Sequence, residues 1–266
     1  MIKFFRNIRK TFINEGKTTK YIKYAIGEIV LVVIGILIAL QINNWNEISK
    51  EKQLEALYLK NMLNDLKDQK NSIETQIDYE KSFFKASNTI IKNYQQDNTL
   101  KIDSMFFKHA TILASRKTFI ITDPTYTDLI SSGNINVLKN VEFKKRLINY
   151  YQELKRIEKV IHNNNALLVD QNYLFNYNKI GYWYEPNIIE YDSTNNILDE
   201  GITIQNYQTE LQDLSKKQLL KGENKLVFMN AIYLRNTIAL GNFEFLKEIQ
   251  YSTQSLITDL KKLNND

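Results

Sequence analysis

His109 and His162 are the only imidazoles among 266 residues, and the chain has no cysteine. Neither histidine is followed at i+3 or i+4 by a carboxylate or a second histidine, the spacing that sets two ligands on one helix face. The missing thiols exclude disulfide scaffolds, cysteine nucleophiles and cysteine-held zinc or iron–sulfur centres. No G-x-S-x-G, H-E-x-x-H, P-loop or G-x-G-x-x-G pattern occurs, and eight scattered glycines build no phosphate cradle. Thirty acids always allow a carboxylate pair to be nominated, so such pairs carry meaning only with geometry. The expectation is therefore a protein without catalytic residues, metal ligands or cofactor, and not an enzyme.

Three groups of residues stand above that background. Tyr173, Phe175, Tyr177, Tyr182, Trp183, Tyr184 and Tyr191 crowd aromatic rings around one irregular stretch. Of these, Tyr182, Trp183 and Tyr184 are the candidate ligand-binding residues, because exposed rings stack on sugars and other flat apolar ligands. The competing reading is that the rings plug one end of the fold. Tyr126, Asp128 and Ser131-Ser132-Gly133 suit a capped helix corner better than a polar pocket. Glu28, Gly35 and Ala39 share one helix face, where Gly35-x-x-x-Ala39 permits close approach of a second helix and Glu28 would face a partner.

The elements carrying these residues begin with a membrane span. Ile29 to Leu40 is unbroken apolar sequence, and the 19 residues from Tyr24 to Ile42 are interrupted only by Glu28 and Gln41. At ~1.5 Å per residue such a helix matches the hydrocarbon core of a bilayer. Trp45 on one side and Tyr21 and Tyr24 on the other suit interfacial aromatic belts. Seven basic residues precede the span against the single acid Glu15, whereas Lys50 and Lys52 follow it beside Glu47 and Glu51. The positive-inside rule therefore puts residues 1–23 in the cytoplasm, 24–42 across the membrane and 43–266 outside. The net charge of +5 sits in that short arm, leaving the remainder close to neutral, which argues against nucleic-acid binding.

Tyr24 to Glu47, reading YAIGEIVLVVIGILIALQINNWNE, resembles the signature of a family of bacterial single-span inner-membrane proteins of unknown function. The turn-like stretch Pro124-Thr125-Tyr126-Thr127-Asp128-Leu129-Ile130-Ser131-Ser132-Gly133-Asn134-Ile135 resembles that family's second landmark. The resemblance implies an inner-membrane protein with an extracytoplasmic helical domain, and it supplies no activity.

Two prolines in this length leave too little turn chemistry for a sandwich, barrel or βαβ series, so the chain reads as all-α. No glycine or proline falls between Gly35 and Pro124, so the span is expected to run on into a helix striped by Leu59, Leu63, Leu66, Ile73, Ile77, Phe84, Ile91 and Tyr94. That stripe reads as interrupted at Lys70, Glu80 and Ser87. Helices are expected at about 102–116, after Asp123-Pro124 up to a left-handed Gly133, from Val141 to about Tyr177, at about 208–221 and at about 224–263. Residues 181–206 form the one extended irregular region. Short connections between long helices suggest an elongated antiparallel bundle outside the membrane. Its partners would be the lipid bilayer, and either a second copy or another envelope protein. The leading expectation is an interaction or scaffold protein; the alternatives are a small-ligand sensor signalling through a separate partner and an envelope hydrolase.

Overall fold

The computed structural model describes residues 18–184 and 209–263, and among them every regular element is helical. The elements in chain order are α1 (Thr18–Asp97), α2 (Ser104–Ala114), α3 (Pro124–Ser131), a 3₁₀ turn (Asn134–Val137) and α4 (Val141–Asn163). A π-helical segment (Asn164–Leu174), α5 (Phe175–Ile180), α6 (Thr209–Leu219) and α7 (Gly222–Leu263) follow. The chain divides into two compact units, Met1–Tyr58 and Leu59–Asp266.

In the first unit α1 presents the apolar run without protein cover. It holds a stretch of 18 residues apolar enough to cross a membrane, none of them buried, with Ile29 and Leu31 both 63% exposed. The basic arm before Thr18 lies outside the described residues, as do Tyr191 and most of the expected irregular region.

In the second unit the α1 stripe meets α7 antiparallel. Glu74 pairs with Gln250, Glu80 with Asn242 and Ser87 with Asn236 at 3.1, 3.2 and 2.9 Å. The α4 helix runs antiparallel to α7 as well, through Arg146 to Asp259 and Tyr150 Oη to Thr253 Oγ1 at 2.9 Å. The expected interruptions of the stripe do not occur at Glu80 and Ser87. Both are buried, together with Gln69 and Gln76, and each of the four bonds a partner on another element. Lys70 is only half-buried and reaches Glu74 at 3.9 Å.

The capping chemistry after the extended stretch differs in one detail. Asp123 stands at the N-cap and Pro124 opens α3, but the Asp123 side chain makes no capping bond. The carboxylate of Asp65 on α1 accepts from the Thr125 amide at 2.9 Å instead, so a tertiary contact caps the helix. Gly133 adopts φ +73° as the turn requires, a conformation costly for residues with a Cβ. Tyr126 stacks on Tyr151 at 4.1 Å, and the Ser132 hydroxyl bonds the Asp128 carbonyl, which gives the capped corner rather than an open pocket.

The long helix expected from Val141 to Tyr177 continues to Ile180, but its turn widens at Asn164. The buried positions explain why. Through α4 they follow 3.6-residue spacing at Leu147, Tyr150, Leu154, Ile157 and Ile161, and then they fall at Ile161, Val169, Tyr173 and Tyr177 in multiples of four. In an α-helix each step of four drifts by about 40° around the axis, so three such residues would leave the core face. Widening to i→i+5 bonding cancels that drift and keeps all three rings and branches inside.

Candidate functional site

The chemistry-bearing residues converge on an extended strap, residues 115–123, between α2 and α3. A strap without helix or sheet partners must find other partners for its backbone. Side chains from three helical elements supply them. The Thr122 amide donates to Gln69 Oε1 at 2.6 Å, and the Lys117 carbonyl accepts from Asn165 Nδ2 at 3.1 Å and Gln76 Nε2 at 3.5 Å. Arg235 on α7 donates from Nε to the Leu113 carbonyl and from Nη2 to the Ser115 carbonyl, both at 3.2 Å. A cation there also meets the negative end of α2. Phe119, buried, anchors the strap between these bonds.

Arg235 is the largest fully buried side chain among the described residues, and its guanidinium lies 4.0 Å over the Phe83 ring. The charge of the buried carboxylate Glu80 acts on it. Glu80 Oε1 accepts from Gln76 Nε2 at 3.1 Å and from Asn242 Nδ2 at 3.2 Å, and Asn242 Oδ1 accepts in turn from Asn164 at 2.9 Å. The seam thus links α1, the strap, α7 and the first residue of the π-helical segment. Burial raises the carboxyl pKa of Glu80, opposed by the Arg235 charge and by the bonds from Asn242 and Gln76. Burial lowers the Arg235 pKa, and Glu80 opposes that.

A pH dependence follows from the raised Glu80 pKa. The folded state holds this proton more tightly than the unfolded chain does, so Glu80's contribution is most favourable below about pH 4.5. It is lost as pH rises through the raised value. Glu80→Gln keeps both accepted bonds and removes the titration. Chemical unfolding of the two proteins from pH 4 to 8 should give matching stabilities at the acid end. The glutamine protein should gain on wild type as pH rises; a constant difference would count against a raised pKa.

The sequence-selected aromatics lie elsewhere and are stitched to the core. Tyr182 is buried, edge-on to Phe107 at 5.4 Å, and its carbonyl accepts from the Tyr177 hydroxyl. Tyr184 is half-buried, and its amide donates to Thr111 Oγ1 at 2.9 Å. Trp183 is 46% exposed, with its indole N–H on Asn178 Oδ1 at 3.0 Å and its ring edge on Tyr177. Of the three, Trp183 alone offers solvent a broad ring face. In the apolar run of α1, Glu28 is partly exposed and Ala39 exposed, and a Cβ added at Gly35 would meet no atom within 4 Å.

His109 lines a small cavity of about 70 Å³ with Asp103 and Met105. Burial, then Lys108, lowers its pKa, and Asp103 opposes both. Glu158 precedes His162 by one helical turn, but among the described residues no three His, Asp or Glu side chains gather closely enough to hold a metal ion. Sequence reading missed the seam because Gln69, Gln76, Glu80, Asn242 and Arg235 look like ordinary polar helix residues. The available signal was their place on the apolar stripe: Gln69, Gln76 and Glu80 lie three or four residues from Leu66, Ile73 and Ile77.

Residues 28–201, well over half of the chain, match a protein family described as a family of unknown function, DUF6090. The chain belongs to that family. It matches no curated protein and no solved structure. The matched stretch holds the span from Glu28, the α1 half of the seam, the strap and the π-helical segment, while Arg235 and Asn242 lie beyond it.

Proposed function

We propose that this is a membrane-anchored interaction protein of the bacterial envelope. Residues 24–42 cross the inner membrane with residues 1–23 in the cytoplasm. Residues 43–266 form an antiparallel helical bundle on the outer side, where they bind another envelope protein or a second copy of the chain. One observation carries this reading: the apolar run of α1 has no protein cover along its length, whereas among the described residues of the second unit exposed apolar side chains are interspersed with buried ones. An uncovered run of that length belongs in lipid. A second copy would use the face of Glu28, Gly35 and Ala39, where Gly35 leaves room for a neighbouring backbone.

A binding role, not a catalytic one, is supported by the way the second unit spends its polar side chains. Gln69, Asn165 and Arg235, its buried or half-buried polar residues beside the strap, answer its own backbone. The second reading, a sensor of a small extracytoplasmic ligand signalling through a separate partner, is favoured by the half-exposed ring of Trp183 beside the buried aromatic cluster.

Orientation is the decisive test. A reporter enzyme active only outside the cytoplasm, fused after Lys52, should be active. Neutralising Lys17, Lys20 and Lys23 should reduce that activity by weakening the charge asymmetry. Activity of a cytoplasm-only reporter at the same junction would overturn the proposed topology.

A further inference from the structure

Besides Nε2 of Gln69, the seam leaves three side-chain atoms without a protein partner: Oε2 of Glu80, Oε1 of Gln76 and Nη1 of Arg235. Their residues are 2%, 1% and 1% exposed, so bulk water does not reach them. A buried polar atom left unsatisfied costs about 1–3 kcal/mol, and more when the group is charged. Three such groups in one neighbourhood call for a common partner.

The neighbourhood is defined by bonds already described. Gln76 and Glu80 stand one turn apart on α1 and bond to each other at 3.1 Å. Arg235 lies over Phe83, in the next turn of the same helix, where its charge acts on Glu80. The strap covers both ends, since Gln76 holds the Lys117 carbonyl and Arg235 those of Leu113 and Ser115. No direct ion pair closes Arg235 onto Glu80 among the described contacts. The charges of the pair cancel, which selects a neutral occupant. The open valences are two acceptors and one donor, and a water molecule offers two donors and an acceptor. Buried waters commonly make about three hydrogen bonds of this kind.

We propose that Glu80, Gln76 and Arg235 together bind one internal water, which donates to Glu80 Oε2 and Gln76 Oε1 and accepts from Arg235 Nη1. Through this water Glu80 orients the two side chains that hold the strap. The water is therefore a structural ligand of the strap as well as of the charge pair.

Electron density for the full-length protein at about 2 Å should show one isolated peak about 3 Å from all three atoms. Direct contact of Arg235 with Glu80 and no peak between them would overturn the proposal, as would a peak touching only one of the three. A solution measurement is independent of crystals. Oxygen-17 relaxation dispersion on the full chain in detergent should count one long-lived water fewer in Glu80→Met/Arg235→Met than in wild type. Far-ultraviolet circular dichroism verifies that the double variant is helical. Equal counts in the two folded proteins would also overturn the assignment, and Gln76→Met, which removes a single ligand, should shorten the residence time of the same water.

Discussion

Phe228→Ala is expected to destabilise the second unit by about 3–5 kcal/mol, the usual cost of emptying a buried aromatic position. Phe228 is fully buried on α7, and three rings close around it: Phe106 at 5.9 Å, Tyr173 at 6.0 Å and Tyr177 at 6.0 Å. Each comes from a different element, α2, the π-helical segment and α5, so no single side chain can relax into the space. Tyr173 and Tyr177 are also tethered by their hydroxyls, to the Ala110 carbonyl at 2.6 Å and to Thr111 at 3.1 Å, which limits collapse further. Tyr177 carries Trp183 on its edge and bonds the Tyr182 carbonyl, so the cavity should loosen residues 182–184 too. In a unit of this size the loss corresponds to a midpoint lower by roughly 10 °C in a thermal melt followed at 222 nm. Near-ultraviolet circular dichroism should weaken at the same time, since the clustered rings lose their fixed packing. Phe228→Leu, nearer in volume, should cost less than about 1.5 kcal/mol. A midpoint unchanged by Phe228→Ala would mean that these rings do not form the core.

Much of this architecture is legible from the residues. Proline poverty gives the helical class, the Ile29–Leu40 run gives the candidate span, and Pro124 and Gly133 bracket a helix within a residue of where α3 lies. Apolar periodicity reads well because burial follows the helix repeat directly. The seam is harder to read because its chemistry is tertiary. Glu80 on the stripe looks like a defect until Asn242, 162 positions later, is seen to answer it. Likewise Asp65 looks like a surface acid until it caps a helix that starts at Pro124. The π-helical segment lies between these cases. Its signal, a change from 3.6-residue to four-residue spacing after Ile161, is present in the sequence, but it is interpretable only once the buried positions are known. The aromatic crowd is legible as composition and ambiguous as function, since rings that bind ligands and rings that fill cores are the same residues. Here Tyr182 enters the core and Trp183 keeps a face to solvent.

Arg235→Met should be as damaging as Phe228→Ala, by a different route, and its signature is pH dependence. Removing one member of a buried charged pair typically costs about 3–5 kcal/mol because the other is left uncompensated. Arg235 here also holds the carbonyls of Leu113 and Ser115 and packs its guanidinium on Phe83. Methionine replaces the packing but neither the donors nor the charge. Glu80, whose pKa burial already raises, loses the charge that opposes that rise, so its pKa should climb further. With the folded pKa raised above the unfolded one, the penalty grows as pH rises through the folded value and fades toward pH 4.5. Unfolding of Arg235→Met at pH 5 and pH 8 should therefore show a clearly larger deficit against wild type at pH 8. The double variant Glu80→Met/Arg235→Met removes both charges, and pairs replaced in this way are often no less stable than the original. Its loss should be well under the sum of the two single losses, the non-additivity expected of residues in one network. Additive losses, or a deficit in Arg235→Met that is the same at both pH values, would show that Arg235 acts only as a clip on the strap and that Glu80 does not share its charge.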